Sequence, residues 1–401
     1  MKLRDGSRTR GLDPAERFAW LQLARSPGIG PKSHARLIER FGSARAAVAA
    51  LPGLLATGRW PGVELAEREL VEAELAAAEA LGVRLLLAVE PEYPARLKEL
   101  ADAPPVLMVR GTVELLAAPS VAVVGARNAS AHGKIFASQL ARELSAAGLV
   151  VVSGLARGID TAAHGGALDG PGSTVAVLAS GVDRPYPEEN AELCERIAAE
   201  GCVVSERPLG AEPQARHFPR RNRIIAGLTL GVVVVEAAVQ SGSLITASLA
   251  LELGREVMAV PGSPLDPRHS GTNRLLREGA HLIETAADVL AALGALPVAP
   301  RRTVRSAGPT RPSNPARRTV PNRSVREAPA PGRSAPSDGE TRAEGPADRI
   351  LESLGVEPVA IDDLARQCQI TAAVIQDALL ELELAGLVER LPGNRVARRA
   401  R

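Results

Sequence analysis

The chain has 401 residues, of which 45% are hydrophobic and only 2% aromatic, and its formal net charge is +2. That length buries a sizeable core and divides into two or three domains built mainly from Ala, Val and Leu, while the near-neutral balance excludes a global polyanion-attracting field, so a nucleic-acid site must be a local patch. Cys194, Cys202 and Cys368 lack CxxC spacing and suggest neither a disulfide framework nor a zinc site, and no apolar run approaches membrane-spanning length, which suits a cytoplasmic protein with no membrane segment.

After a polar start over residues 1–12, a helical pattern from Asp13 leads into PGIGPKSHARLIERFGS at 27–43. Gly28 and Gly30 permit a tight turn whose amides can face a phosphate, with Lys32 and Arg36 on the helix that follows. This layout matches a helix-hairpin-helix. It is not a Walker A loop, because Pro31 stands where GxxxxGK[ST] needs its second glycine. The module either touches DNA backbone through Gly28, Gly30 and Lys32 or only packs against its neighbour. Ala-rich helices continue to residue 90, ending in the strand-like run VRLLLAVE. Residues 1–90 are therefore expected to form an N-terminal helical domain of helix-hairpin-helix or SAM-like type, and 93–110 an entry connection.

From Val121 the pattern alternates strand and helix: VAVVG, LVVVSG, STVAVLASG, CVVSE, VVVV at 232–235 and REVMAVPG, with helices between. Such alternation implies an α/β fold, an extended Rossmann-like parallel sheet with right-handed crossovers, over residues 91–296. Ligands of such sheets bind beyond the carboxyl ends of the strands, where the unusual loops fall. Arg127 follows the first strand, where a helix N-terminus and a guanidinium could face one phosphate. Ser153 to Asp160 is a Gly-rich loop holding Arg157, and 181–190 another, with Tyr186 and Pro187. The stretch Phe218 to Arg223 reads as a fourth loop and Gln240 to Ser243 as a fifth, from which a helix departs. Arginines beside one aromatic suit a nucleic-acid strand, with Phe218 available for base stacking. Ser153, Asp160 and His164 lack a GxSxG elbow, and Asp160 and His164, four apart on one helix face, read as a helix-capping or hydrogen-bonded scaffold pair. Glu236 is expected to order the adjacent arginines by pairing. The helices after Gly227 and after Ser243 carry apolar faces that serve either dimerisation or the core.

Residues 297–346 are rich in Pro, Arg, Ser, Ala and Gly, the composition of a disordered basic linker. From 347 to 401, three short helices and two strands around Pro392 and Gly393 form a winged-helix pattern. Its third helix carries Asp377, Glu381 and Glu383, which would repel phosphates and favour a protein contact over groove binding, although the basic run from Arg395 leaves the alternative open.

Taken together, VAVVGARNAS, VVSGLARGIDTAAHGGAL, TVAVLASGVDRPYPEEN, VVSERPLG, HFPRRNRIIAGL, VVVVEAAVQSGSLITA and VMAVPG resemble the DNA-processing protein A (DprA/Smf) family. The resemblance implies a non-enzymatic protein without cofactor or metal that binds single-stranded DNA, dimerises and loads the RecA recombinase in natural transformation. It places a phosphate pocket at Arg127, a basic aromatic motif on Phe218, Arg221, Asn222 and Arg223, and a glycine-serine turn on Ser241, Gly242 and Ser243. Arg157 and Arg220 complete the expected single-stranded-DNA set. This chain has GAR where GSR is frequent, and acidic Glu188 and Glu189 where some members place a lysine. The alternative is a nucleotide phosphoribohydrolase of the lysine-decarboxylase-like group, whose PGGxGTxxE pattern requires an acid early in the helix after the turn; QSGSLITASLALE has none there.

Overall fold

The computed structural model describes residues 12–56, 62–170 and 172–294, together with 350, 359–361, 364, 375, 378–379, 382–383, 387–391 and 395–398. The polar start to residue 11, the 297–346 segment, Cys368, Asp377 and Glu381 lie outside the described residues. The chain forms two compact units, Met1–Ala307 and Gly308–Arg401.

The first unit opens with four helices: α1 (Pro14–Arg25), α2 (Pro31–Phe41), α3 (Ala44–Ala56) and α4 (Arg68–Ala80). Pro14 and Pro31 each open a helix, where the missing N–H costs nothing. A turn between α1 and α2 uses Gly28 at φ 78°, and a Cβ there would run into the backbone of Gly62 and Val63. His34, on α2, is buried, with its Nε2 3.2 Å from the Trp20 carbonyl and its ring 4.8 Å from the indole.

The sheet has nine strands in the order β1-β2-β6-β5-β4-β3-β7-β8-β9. In chain order these are β1 (Arg84–Leu87), β2 (Val106–Gly111), β3 (Ser120–Val124), β4 (Val150–Ser153), β5 (Thr174–Val177), β6 (Cys202–Ser205), β7 (Gly231–Val234), β8 (Glu256–Ala259) and β9 (His281–Leu282). From β6 to β9 every pairing is parallel, and strands β3 to β7 are buried throughout, as two-faced burial of valine runs requires. The sheet is nevertheless mixed, because β1 pairs antiparallel with β2 and β2 antiparallel with β6. The expected entry connection at 93–110 therefore contains the short helix α5 (Ala95–Lys98) and a full strand, β2. The break expected at residue 90 falls beyond β1, which already belongs to the sheet.

The remaining helices are α6 (Ala131–Ala146), α7 (Ile159–Leu168), α8 (Ala191–Glu200), α9 (His217–Leu228), α10 (Gly242–Glu252), α11 (Ser270–Arg277) and α12 (Ala286–Ala292). Residues 218–223 are thus helical, not a loop. Pro219 does not prevent this, because it stands in the first turn of α9, where proline is tolerated. Nor does a helix follow Gly227: that residue is inside the last turn of α9, and a Cβ there would press on Leu97 and Leu100 of the α5 region.

One apolar core lies between the sheet and α9 and α10. A second joins Trp20, Leu23, Ile29, Leu37 and Leu51 of the N-terminal helices to Leu85, Met108, Leu178, Val182 and Val203 of the sheet region, so helices and sheet share one interior. Cys194 and Cys202 are free and buried, and burial raises the Cys194 thiol to about 11.

In the second unit, β11 (Val388–Leu391) and β12 (Arg395–Arg398) pair antiparallel as expected, and β10 (Val359–Ala360), not foreseen, adds to β12. Ile375, Leu379 and Leu382 recur at helical spacing and are buried with Ile350, Leu364, Val388 and Val396.

Candidate nucleic-acid interface

Chain order runs outward from β3 to β4, β5 and β6 on one side, then returns to β7 on the other. The point between β3 and β7 is therefore a topological switch, and beyond the carboxyl ends of its two strands the connecting loops part and leave a crevice. A cavity of about 890 Å³ occupies that place, lined by Arg127, Phe218, Arg221, Asn222 and Ser241 to Ser243.

Helix α9 supplies one wall because Phe218, Arg221, Asn222 and Ile225 recur at three- and four-residue spacing and so share a face. The exposed Arg127, from the loop after β3, lays its guanidinium 5.1 Å from the centre of the Phe218 ring. Tyr186 meets the same ring edge-on, with centroids 5.7 Å apart. Opposite, Ser241 caps α10, accepting from the Ser243 amide at 3.4 Å, and the Asn222 side-chain amide donates to the Gly242 carbonyl at 3.2 Å. A helix N-terminus thus opens toward a cationic, partly aromatic wall, an arrangement that favours phosphate beside a flat ring.

Arg221 plays a different part from the one its charge suggests. Its side chain is buried, and Nη1 donates to the carbonyls of Gly154, at 2.6 Å, and Val177. A Cβ at Gly154 would collide with this guanidinium, so the loop after β4 must lie bare against it. Burial lowers Arg221 to about 10, with Asp160 pulling it back up and Arg127 adding to the lowering. The same loop holds Leu155 at φ 56°, left-handed for a branched residue, through Leu155 N–H donation to His164 Nε2 at 3.3 Å and Asn190 Nδ2 donation to the Leu155 carbonyl at 2.9 Å. Asp160 accepts from the amides of Gly154 and Ala156. Asp160 and His164 are therefore scaffold, as read from the sequence.

Glu236 corrects an expectation. It pairs with no arginine of the site; it accepts from the amide of Ser130 at 2.9 Å and from its hydroxyl at 2.5 Å. The carboxylate thereby fills the N-terminus of α6, the helix end expected to share a phosphate with Arg127. The helix end left facing the cavity belongs to α10.

Arg157 borders a small recess beside Arg127, Tyr186 and Phe218, and pairs with Glu189 at 2.9 Å, which offsets one of the two acids. Arg220 and Arg223 do not line the cavity. Arg223 is buried in ion pairs with Asp102, at 3.3 Å, and Glu206. Arg220 is exposed on the far side of α9. Gly28, Gly30 and Lys32 are exposed at the α1–α2 turn, apart from the cavity. Arg268, paired with Asp266 at 2.7 Å, also lines the cavity and was missed; its place after β8, on the same sheet edge, was the available signal.

Buried histidines, His34 and His164 foremost, make the unit acid-sensitive. Burial lowers His34 to about 4 and His164 to about 3, so as pH falls below 6.5 the unfolded chain takes up protons first and stability drops. Asp160, raised by burial, acts in the opposite direction. The urea midpoint is expected to be lower at pH 5 than at pH 7, with a smaller drop in His34→Gln; equal drops in both proteins would refute the assignment.

The sheet is thus doubly wound, with a cationic, aromatic-walled crevice at its switch point. The family profile described as DNA recombination-mediator protein A matches residues 84–294, with a DprA-like N-terminal HHH domain at 14–77 and a DprA winged helix domain at 328–394. The chain is 33% identical to Protein Smf of Synechocystis over 96% of its own length and 99% of that protein. It is 48% identical to the DNA processing protein DprA of Streptococcus pneumoniae across 50% of this chain and 70% of that one. The solved structure of the Streptococcus pneumoniae protein superposes with a TM-score of 0.59 at 33% identity, covering 70% of this chain and 98% of the other. The chain belongs to the DNA recombination-mediator protein A family, DprA/Smf. Among the described residues no helix is long and apolar enough to cross a membrane.

Proposed function

We propose that this chain is a cytoplasmic DNA-processing protein that binds single-stranded DNA at the switch-point crevice and, as a homodimer, delivers it to the RecA recombinase during transformation. The observation that carries the binding step is the stack of Arg127 over Phe218, with Tyr186 at the ring's edge and the α10 N-terminus opposite. A guanidinium and a helix end address phosphate while the ring offers a face to any base, which suits sequence-independent binding of an unpaired strand. The RecA and dimer steps rest on family membership. Binding without catalysis is supported by the first turns of α10, which present Ser243, Leu244, Ile245 and Thr246 in place of a carboxylate.

The test is oligo-dT binding across a salt series. Wild type is expected to weaken steeply with salt, and Arg127→Ala to lose about tenfold in affinity with the slope reduced by about 0.7, one phosphate contact on a single strand. Unchanged affinity in that variant, or robust base release from nucleoside monophosphates by the wild type, would overturn the reading.

A further inference from the structure

Helix α9 has a second cationic flank that the cavity does not use. Phe218, Arg221, Asn222 and Ile225 face the crevice, whereas Arg216 and Arg220, four residues apart, stand together on the other side of the first turn. Both are exposed. Arg207, just past β6, is half-buried, with its Nε enclosed and without a hydrogen-bond partner. His217, at the start of the helix, is 4% exposed and its Nδ1 is likewise enclosed and unpartnered. Several arginines of this unit whose side chains are largely buried are neutralised: Arg25 by Glu74, Arg110 by Glu195, Arg223 by Glu206 and Asp102, Arg255 by Glu99. Glu206 is thus already taken, and none of the ion pairs among the described residues involves Arg207, Arg216 or Arg220. Their mutual repulsion registers on the group: burial chiefly lowers Arg207, Glu206 opposes it and Arg220, Arg25 and Arg216 add to the lowering, and burial followed by Arg207, Arg216 and Arg220 lowers His217. The amides of His217 and Phe218 are spent on Gln214 and Ala215 and Pro219 has none, so side chains, not the helix end, make this site.

We infer that Arg207, Arg216 and Arg220 form a second phosphate subsite, across α9 from the crevice, that holds the continuing backbone of the same single strand. The inference rests on the crevice reading above. A helix with its side chains is about 10–12 Å across, so one phosphate cannot serve both flanks and only a polymer can engage them together. Arg25, within electrostatic reach of Arg207, ends α1, and the Gly28–Gly30 turn follows it. The strand is thereby directed from the crevice toward the helix-hairpin-helix turn.

The experiment compares oligo-dT of about 4 and about 16 nucleotides, the two ends of the range for single-strand sites, against wild type, the triple variant Arg207→Gln/Arg216→Gln/Arg220→Gln and the exposed pair Arg216→Gln/Arg220→Gln. The triple variant is expected to lose roughly tenfold or more on the long oligonucleotide, with the salt slope lowered by about 2 for three contacts, and to keep wild-type affinity for the short one. The pair variant, which alters no buried group, should show the same selectivity at smaller size. Equal losses on both lengths, or none on either, would overturn the second subsite. Arg127→Ala should weaken both lengths; wild type binding neither would instead remove the crevice reading itself.

Discussion

Arg221→Ala is expected to lower stability by about 3–5 kcal/mol, the range for removing one member of a buried charge arrangement, and the thermal midpoint by about 10 °C for a unit of this size. The reason is the seat described above: without the guanidinium, the carbonyls of Gly154 and Val177 lose a charged donor and Asp160 keeps its burial without its compensating cation. The loop that holds Leu155 at a left-handed φ would then lose its support. Oligonucleotide binding by this variant should fall along with the fraction folded. A melting curve matching wild type beside a lost affinity would show that Arg221 is a DNA contact and not a strut.

Phe218→Ala should behave in the opposite way. Its expected cost is about 1–3 kcal/mol of oligo-dT affinity, the stacking contribution of one aromatic, or roughly five- to 150-fold. The salt slope should stay as in wild type, since no cation is removed. Phe218→Trp should retain most of the affinity. If the slope drops with the affinity in Phe218→Ala, the ring acts only by positioning Arg127, 5.1 Å away.

These two neighbours on one helix show what the sequence could and could not convey. The valine runs of β3, β4 and β7 were legible because a strand buried on both faces leaves a continuous apolar signature. Strand β2 was not, since Pro104 and Pro105 lead straight into it and it joins the sheet antiparallel. Helix α9 runs through Pro219, whose breaking effect vanishes in a first turn. The cluster of arginines suggested an anion site, but which of them remain free is settled by partners distant in the chain. Arg223 is taken by Glu206 and Asp102, Arg157 by Glu189, and Arg221 by backbone carbonyls that no side-chain pattern reveals. Glu236 misled for the same reason, since its partner, Ser130, opens a helix on the other side of β3.

The core common to the N-terminal helices and the sheet has a further consequence. Ile29, between Gly28 and Gly30, is anchored in the same interior as Leu178 and Val182, so the hairpin turn cannot drift with respect to the crevice as a tethered domain would. The separation between turn and crevice is fixed by packing, and the first unit acts as a gauge: a strand reaching both must supply a set length of unpaired backbone. On the proposed path, a strand too short to span that separation would engage the crevice alone.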